Sequence, residues 1–254
     1  MGQVSPNDVS PNDVSPNDLR HYRTRRIASE LRAGAVLLEK PRIGMGPVGP
    51  ALNSLDAVLD TVLETASGGL PRALLVAGTS KRANAVSPAI ELARALVDRN
   101  EQVVLVDLAK GASLVSDPLG MPRVPGFSDL VAGEANFIDV VHLDDETTLQ
   151  VIAAGNTATV DQGHDQDRFM DVFEALTQTY DCVVLHADLA AIEARMPALK
   201  FEFPVAVAVL PGRATIQSET EALCSFQSLG CPIVVYDGHG KRRRPRLFGR
   251  MAAA

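Results

Sequence analysis

The sequence contains no tryptophan, and aromatic residues make up only 4% of its 254 positions. A core without bulky rings has to be filled by Val, Leu, Ile and Ala, the composition of helices packed on a parallel sheet. Cysteine is scarce as well. Cys182, Cys224 and Cys231 are too few and too scattered for a disulfide framework or a zinc site. No apolar run approaches the roughly 20 residues of a membrane-spanning helix, and the N-terminal stretch is polar, without an apolar signal region. These absences together lead to the expectation of a cytoplasmic protein.

What is present is a large apolar fraction, 46%, which is enough for a substantial core and excludes disorder as an account of the whole chain. The length suits one large α/β domain with ragged ends. Net charge is −7 but unevenly spread. Residues 1–50 carry seven Lys/Arg against five Asp/Glu, and residues 239–254 carry six bases and no acid. The body between them, 51–238, holds 11 bases and 26 acids and is near −15. An acidic body argues against a general nucleic-acid binder, which would show a basic face on the fold itself.

The chain opens with Val-Ser-Pro-Asn-Asp three times over, from Val4 to Asp18. Three copies of five residues are too short for a solenoid, and Ser-Pro with Pro-Asn-Asp favours turns and extended chain. Gly44, Gly46, Pro47, Gly49 and Pro50 then read as a linker. The expected division is a disordered leader over 1–50, an α/β domain over 51–238 and a basic tail over 239–254.

Within the body, residues 53–63 carry apolar side chains at three- and four-residue spacing, which predicts an amphipathic helix. Short continuous apolar runs at 73–77, 102–107, 150–154, 182–186, 205–210 and 233–236 predict six buried strands. Between them fall helical patterns: one with Ser87 as N-cap and Pro88 at its first position, one from Arg168 to about Thr179, and one near 217–228. Buried runs separated by helices need crossover connections. The expected fold is therefore a doubly wound, mostly parallel sheet with helices on both faces. In such sheets ligands sit at the carboxyl ends of the strands, so the residues after each strand are where chemistry should be sought.

Four segments carry a resemblance. They are residues 126–134 (Gly-Phe-Ser-Asp-Leu-Val-Ala-Gly-Glu), 149–155 (Leu-Gln-Val-Ile-Ala-Ala-Gly), 180–185 (Tyr-Asp-Cys-Val-Val-Leu) and 209–215 (Val-Leu-Pro-Gly-Arg-Ala-Thr). In order and spacing they resemble the cytoplasmic ATPase domain of bacterial tyrosine kinases for capsular and exopolysaccharide production, relatives of MinD and ParA. The likeness spans roughly residues 70–237 and implies a P-loop NTPase-like fold. It also implies a loop after the first body strand that wraps phosphates with backbone N–H groups, while Lys and Ser/Thr hold phosphate and magnesium.

The loop found at that place is Gly78-Thr-Ser-Lys-Arg-Ala-Asn-Ala-Val-Ser87. Aligned on Ile90 to Ala93, it puts Ala85 where the family has the phosphate Lys, Val86 at the magnesium hydroxyl and Ser87 at the next hydroxyl. Arg82 and Asn84 replace glycines, and their Cβ atoms obstruct close approach of the backbone to an anion. The second strand keeps only Asp107 of an expected Asp-x-Asp. The fourth ends in His186 where the family has Asp, and Asp237 stands where the family has the adenine-reading Asn. Phosphoryl transfer depends on positioning and charge stabilisation by these groups, and loss of one such donor costs about 3–4 kcal/mol. The resemblance therefore implies a protein without catalytic residues. Its vestigial nucleotide site would comprise Ser80, Lys81, Asn84, Ser87, Asp107 and Asp237, with at most weak ATP or ADP binding and no magnesium.

Plainer readings stand beside these. Lys81 reads as a solvated loop cation, Asp107 as a polar strand cap and His186 as a satisfied strand-end histidine, since no activated Ser or Cys is placed near it. Asp161, His164, Asp165 and Asp167 lack the spacing of a calcium loop. Lys241, Arg242, Arg243, Arg244 and Arg246 are the remaining interaction candidate, either a solvated charge run or an anchor for anionic lipid. The family's C-terminal tyrosine cluster is missing, the only tyrosines being Tyr22, Tyr180 and Tyr236. The family's ring-forming Glu-x-x-Arg-x-x-Arg helix is also missing from 52–66. The expected role is a regulatory or partner-binding pseudoenzyme in exopolysaccharide biosynthesis or export, peripheral to the inner membrane. Its expected partner is a polysaccharide co-polymerase or an active ATPase homologue. The rival readings are an active ATPase or tyrosine kinase with a rearranged phosphate loop, and a ParA-like membrane-surface adaptor.

Overall fold

The computed structural model describes residues 46–66, 69–109, 114–156, 165–188, 191–192, 203–212, 214, 216 and 219–238. The pentapeptide leader and the basic tail lie outside the described residues. So do residues 161–164 of the Asp/His cluster.

The fully apolar runs fold as strands buried on both faces, because a side chain that alternates between two helix layers finds no solvent on either side. These are β2 (Ala73–Gly78), β3 (Val103–Asp107), β6 (Cys182–Ala187), β7 (Val205–Val209) and β8 (Ile233–Tyr236). With β1 (Val48–Leu52), β4 (Val141–Leu143) and β5 (Gln150–Ile152) they form one eight-stranded sheet in the order β1-β8-β7-β2-β6-β3-β5-β4. Every pairing is parallel except β4 with β5. The expected doubly wound, mostly parallel fold is the one observed.

Alternation along β2 sorts the core. Leu74 and Val76 face a layer built on α1 (Leu55–Thr65) and α2 (Val86–Val97), where Val58, Leu59, Val62, Ala89, Leu92, Ala93 and Leu96 are buried. Ala73, Leu75 and Ala77 face the opposite layer. That layer receives α4 (Phe127–Ala132), α6 (Asp165–Thr179) and α7 (Thr220–Gln227). The sparse aromatics gather there. Phe127 meets Phe169 edge-on at 5.5 Å, Phe169 stacks on Phe173 at 6.3 Å, and Phe173 reaches Phe203 at 6.0 Å. Each such ring, fully buried, contributes roughly 1.5–3 kcal/mol of transfer free energy. The short helices α3 (Ser116–Leu119) and α5 (Phe137–Val140) punctuate the segment between β3 and β4.

Two expectations about element ends are corrected. The fold begins before residue 51: β1 starts at Val48, inside the stretch read as linker. Gly46 N–H donates to Gln227 O, and β1 runs parallel to β8 with Ile233 N–H on Pro47 O at 2.8 Å. A Pro-containing strand is tolerated here because β1 is the sheet edge, where one side of the backbone needs no partner. The second correction concerns α2, which starts at Val86, one residue before Ser87. Pro88 is thus the third helical residue, still within the first turn, where its missing N–H breaks no helical bond. The N-cap is Ala85, whose side chain caps nothing, and Asn84 just before it supplies an acceptor instead, its Oδ1 taking Val86 N–H at 3.0 Å.

Candidate functional site

The parallel strands deliver Gly78, Asp107, His186, Val209 and Tyr236 to the same end of the sheet. The turn from β2 to α2 lies there, and three of its amides are already committed. Thr79 N–H donates to Val209 O at 3.0 Å, Ala83 N–H closes a turn onto Ser80 O at 2.9 Å, and Val86 N–H is held by Asn84. Pro88 has no N–H to offer. An anion cradle needs these amides pointing inward and free.

The turn also folds back on the strand it leaves. A Cβ on Gly78 would sit 2.5 Å from Ala83 O, so the space over the strand end is filled by the turn's own backbone. Ala85 and Val86, aligned with the family's phosphate Lys and magnesium hydroxyl, are buried in the core beside α2. Ser87 is half-buried in the first turn of that helix. Lys81 and Arg82 are exposed at the tip of the turn. The Ser80 hydroxyl oxygen is buried with no hydrogen-bond partner among the described residues.

Asp107 is engaged on all sides. It is 1% exposed; Oδ1 accepts Ala109 N–H at 2.9 Å and Oδ2 accepts Val115 N–H at 2.8 Å. Its register partner on β6 is His186, whose Nδ1 lies 2.9 Å from Oδ1. A carboxylate only accepts, so this ring nitrogen carries the proton and donates. Where the family's carboxylates face a magnesium ion, this chain has a buried Asp–His hydrogen bond that closes the gap between two strand ends. Asp188, the other member of a general-base reading, caps Ala191 N–H at 2.7 Å. Asp237 follows β8, which is two strands from β2 and four from β3, and its N–H donates to Leu52 O at 2.9 Å.

Sequence reasoning passed over Thr79 and Glu219. Thr79 is buried, and its hydroxyl donates to Glu219 Oε2 at 2.9 Å. The contact spans 140 residues and ties the start of the turn to the residue before α7. It adds a carboxylate where a phosphate would want cations. Only a three-dimensional contact could reveal it, since Glu219 precedes its helix with no motif around it.

The cysteines offer no nucleophile at the sheet. Burial pushes the Cys182 thiol up to about 12, with Glu101 and Asp181 adding to the effect, and burial likewise pushes Cys231 up to about 12. Burial also raises the Tyr180 hydroxyl, which donates to Gln150 Oε1. Among the described residues no group of three or more His, Cys, Asp or Glu is placed to hold a metal. ATP–magnesium, the group the fold family implies, does not fit this strand end.

Two of the segments that carry the resemblance, 126–134 and 149–155, meet. Phe127 and Ser128 N–H donate to Ala153 and Ala154 O at 2.7 and 3.0 Å, and Ser128 Oγ adds a bond to Ala154 O at 2.8 Å. Asp129 Oδ2 accepts Gly126 N–H at 2.7 Å and Asn156 N–H at 3.2 Å. A Cβ on Gly126 would meet Ala153 O and Gly155 N, each at 2.4 Å, so only glycine allows the two chains this close. Residues 126–129 and 153–156 form a clasp held by their own main-chain and side-chain groups.

No family model and no curated protein matches the sequence. Solved structures do match the fold. The kinase domain of the Escherichia coli tyrosine kinase ETK aligns with a TM-score of 0.62 at 14% identity, covering 75% of this chain and 76% of that one. The VpsO kinase domain aligns at 0.59 with 16% identity, covering 72% and 91%. The cell-division ATPase MinD of Pyrococcus furiosus aligns at 0.50 with 20% identity, covering 65% and 70%. At these identities the likeness establishes the fold, and the fold is that of the tyrosine kinase and MinD domains.

Proposed function

From a chain with the fold of the bacterial tyrosine kinase domains and MinD, we propose a catalytically inactive P-loop-like module. It acts by binding a partner, in the exopolysaccharide setting that the resemblance of residues 126–134 implies. The partner chemistry is that of a polysaccharide co-polymerase or an active ATPase homologue at the inner face of the membrane. One observation carries the reading: the turn after β2 uses its own amides at Thr79, Ala83 and Val86, and buries Ala85 and Val86 where a phosphate-binding Lys and a metal-binding hydroxyl would be required. Among the described residues no helix is long and apolar enough to cross a membrane.

The test is thermal melting with ATP or ADP, with and without magnesium, together with phosphate release. A ligand that binds the native state raises stability by RT ln(1 + [L]/Kd), so binding at about 0.1 mM or tighter shows at millimolar ligand. The expected result is no shift and no phosphate release. A second reading, an ATPase with a rearranged loop using Ser80, Lys81 and Ser87, draws on the unpartnered Ser80 hydroxyl beside exposed Lys81 and Arg82. A melting shift with ATP that disappears in Lys81→Ala would favour it and overturn the first.

A further inference from the structure

Large apolar side chains gather in the open at one edge of the sheet. Ile138 is 88% exposed, Leu143 63% and Phe137 40%. Helix α5 runs directly into β4, so the three lie within seven residues, on the outermost strand and the turn that feeds it. Among the described residues no strand lies outside β4. Such an edge is a template for another chain.

The surroundings of this edge are acidic. From Val124 to Asp167 the sequence has no Lys or Arg and nine Asp/Glu. Among the described residues, Arg94 and Arg168 reach the region from elsewhere, and both have defined contacts. Arg94 makes a two-point pair with buried Asp144, through Nε at 3.0 Å and Nη2 at 2.7 Å, and also binds Glu146; Arg168 donates to Ala132 O at 2.7 Å. Glu134, Asp139 and Asp145, in the same stretch of chain as the apolar side chains, are exposed. A ligand that fits must be basic and apolar together.

The same polypeptide contains such a segment. Residues 241–248 read Lys-Arg-Arg-Arg-Pro-Arg-Leu-Phe, five bases leading into two large apolar residues, with no acid from residue 239 to the end. We propose that the acid-rimmed apolar edge at β4 docks residues 241–248 of a second copy of this chain. Reach decides between a second copy and the chain's own tail. The tail departs after β8, second in the sheet order, whereas β4 is eighth. Six strand spacings of about 4.8 Å make about 29 Å. Nine residues from Gly238 to Leu247, fully stretched at about 3.4 Å each, span about 30 Å and leave nothing for passing over the connections above the strand ends. A contact between one copy's tail and another copy's edge is head-to-tail, so it grows by addition rather than closing as a symmetric dimer.

The inference is independent of the reading of the phosphate loop, and its test involves no nucleotide. Full-length protein is sedimented over a range of concentrations at low and high salt, beside Ile138→Glu and a Leu247→Ser/Phe248→Ser double variant. Wild type is expected to self-associate, with weaker association at high salt as the charge complementarity is screened. Each variant alone is expected to weaken association at least about tenfold, as loss of a central apolar anchor does. Mixed one to one, the variants are expected to stop at a heterodimer, because each supplies the half the other lacks. Three results overturn the proposal: a wild type that stays monomeric, association untouched by either variant, or a mixture that fails to pair. A fourth is a tail variant that loses binding to phosphatidylglycerol vesicles while self-association persists, which gives the tail to a lipid surface instead.

Discussion

The clasp between residues 126–129 and 153–156 and the turn between β2 and α2 both sit at the carboxyl end of the sheet, yet their side chains do different work. In the clasp, nearly every residue serves the fold directly. Gly126 admits a neighbouring backbone, Ser128 and Asp129 satisfy main-chain groups, and Phe127 opens the aromatic chain of the core. In the turn, a phosphate-binding residue serves only its ligand. In this chain the same positions serve folding: Asn84 Oδ1 accepts Val86 N–H, and Ala85 and Val86 join the core. The stretch that resembles the kinase domains is the one that packing constrains, and the turn is the one whose side chains cap and fill.

The sharpest way to break that comparison is Gly126→Val. A side chain there meets Ala153 O and Gly155 N, both backbone atoms that cannot rotate away. The expected cost is about 3 kcal/mol or more, read by denaturant unfolding. A variant that melts like wild type would show that the clasp is slack. Next comes Asp107→Ala, which strips an acceptor from Ala109 N–H, Val115 N–H and His186 Nδ1 at a site 1% exposed. The expected loss is about 2–3 kcal/mol, with no nucleotide-dependent readout altered, because the carboxylate holds strand ends together. If Asp107→Ala instead left stability intact and abolished an ATP-dependent signal, the two regions would have to trade roles.

The sheet was legible because its strands are short apolar runs with no rival reading, and 73–77, 182–186 and 233–236 fall on β2, β6 and β8 almost residue for residue. The edges were not. In β1, Gly49 and Pro50 look like linker residues, and only pairing with β8 makes a strand of them. Strand β4 has three residues, too few for a period to register, and exists through its antiparallel partner β5. At the strand ends, the missing phosphate-loop residues could be read from sequence. What replaced them could not. The Asp107–His186 bond depends on register between β3 and β6, and Thr79–Glu219 spans most of the domain. The Ser87 cap misled for a related reason: Ser-Pro is a sound helix-start signal, but Asn84 three residues earlier closes the backbone first.

That cap gives a smaller test. Asn84→Ala removes the acceptor for Val86 N–H and should cost about 1 kcal/mol. Asn84→Gly should cost less, since glycine at a cap is nearly as good. Were Asn84 instead held there for a ligand, glycine, the residue that a phosphate cradle prefers, would bring nucleotide binding with it. The expectation is that it does not.

The smallest effect belongs to the residue that a functional reading would rank first. Lys81 is exposed at the tip of the turn, and no salt bridge or hydrogen bond joins its side chain to the described residues. An exposed substitution away from caps and core stays within about 0.5 kcal/mol, so Lys81→Ala should melt with wild type. In a working phosphate loop the neighbouring lysine is fixed by what it binds, and removing it changes ligand affinity far more than stability. Here both should be flat, with melting unchanged and millimolar ATP without effect on either protein. The double null is informative because Gly126→Val, at the same end of the sheet, is expected to be strongly destabilising. A turn that tolerates loss of its cation beside a clasp that tolerates no methyl group is a scaffold whose constraint lies in packing.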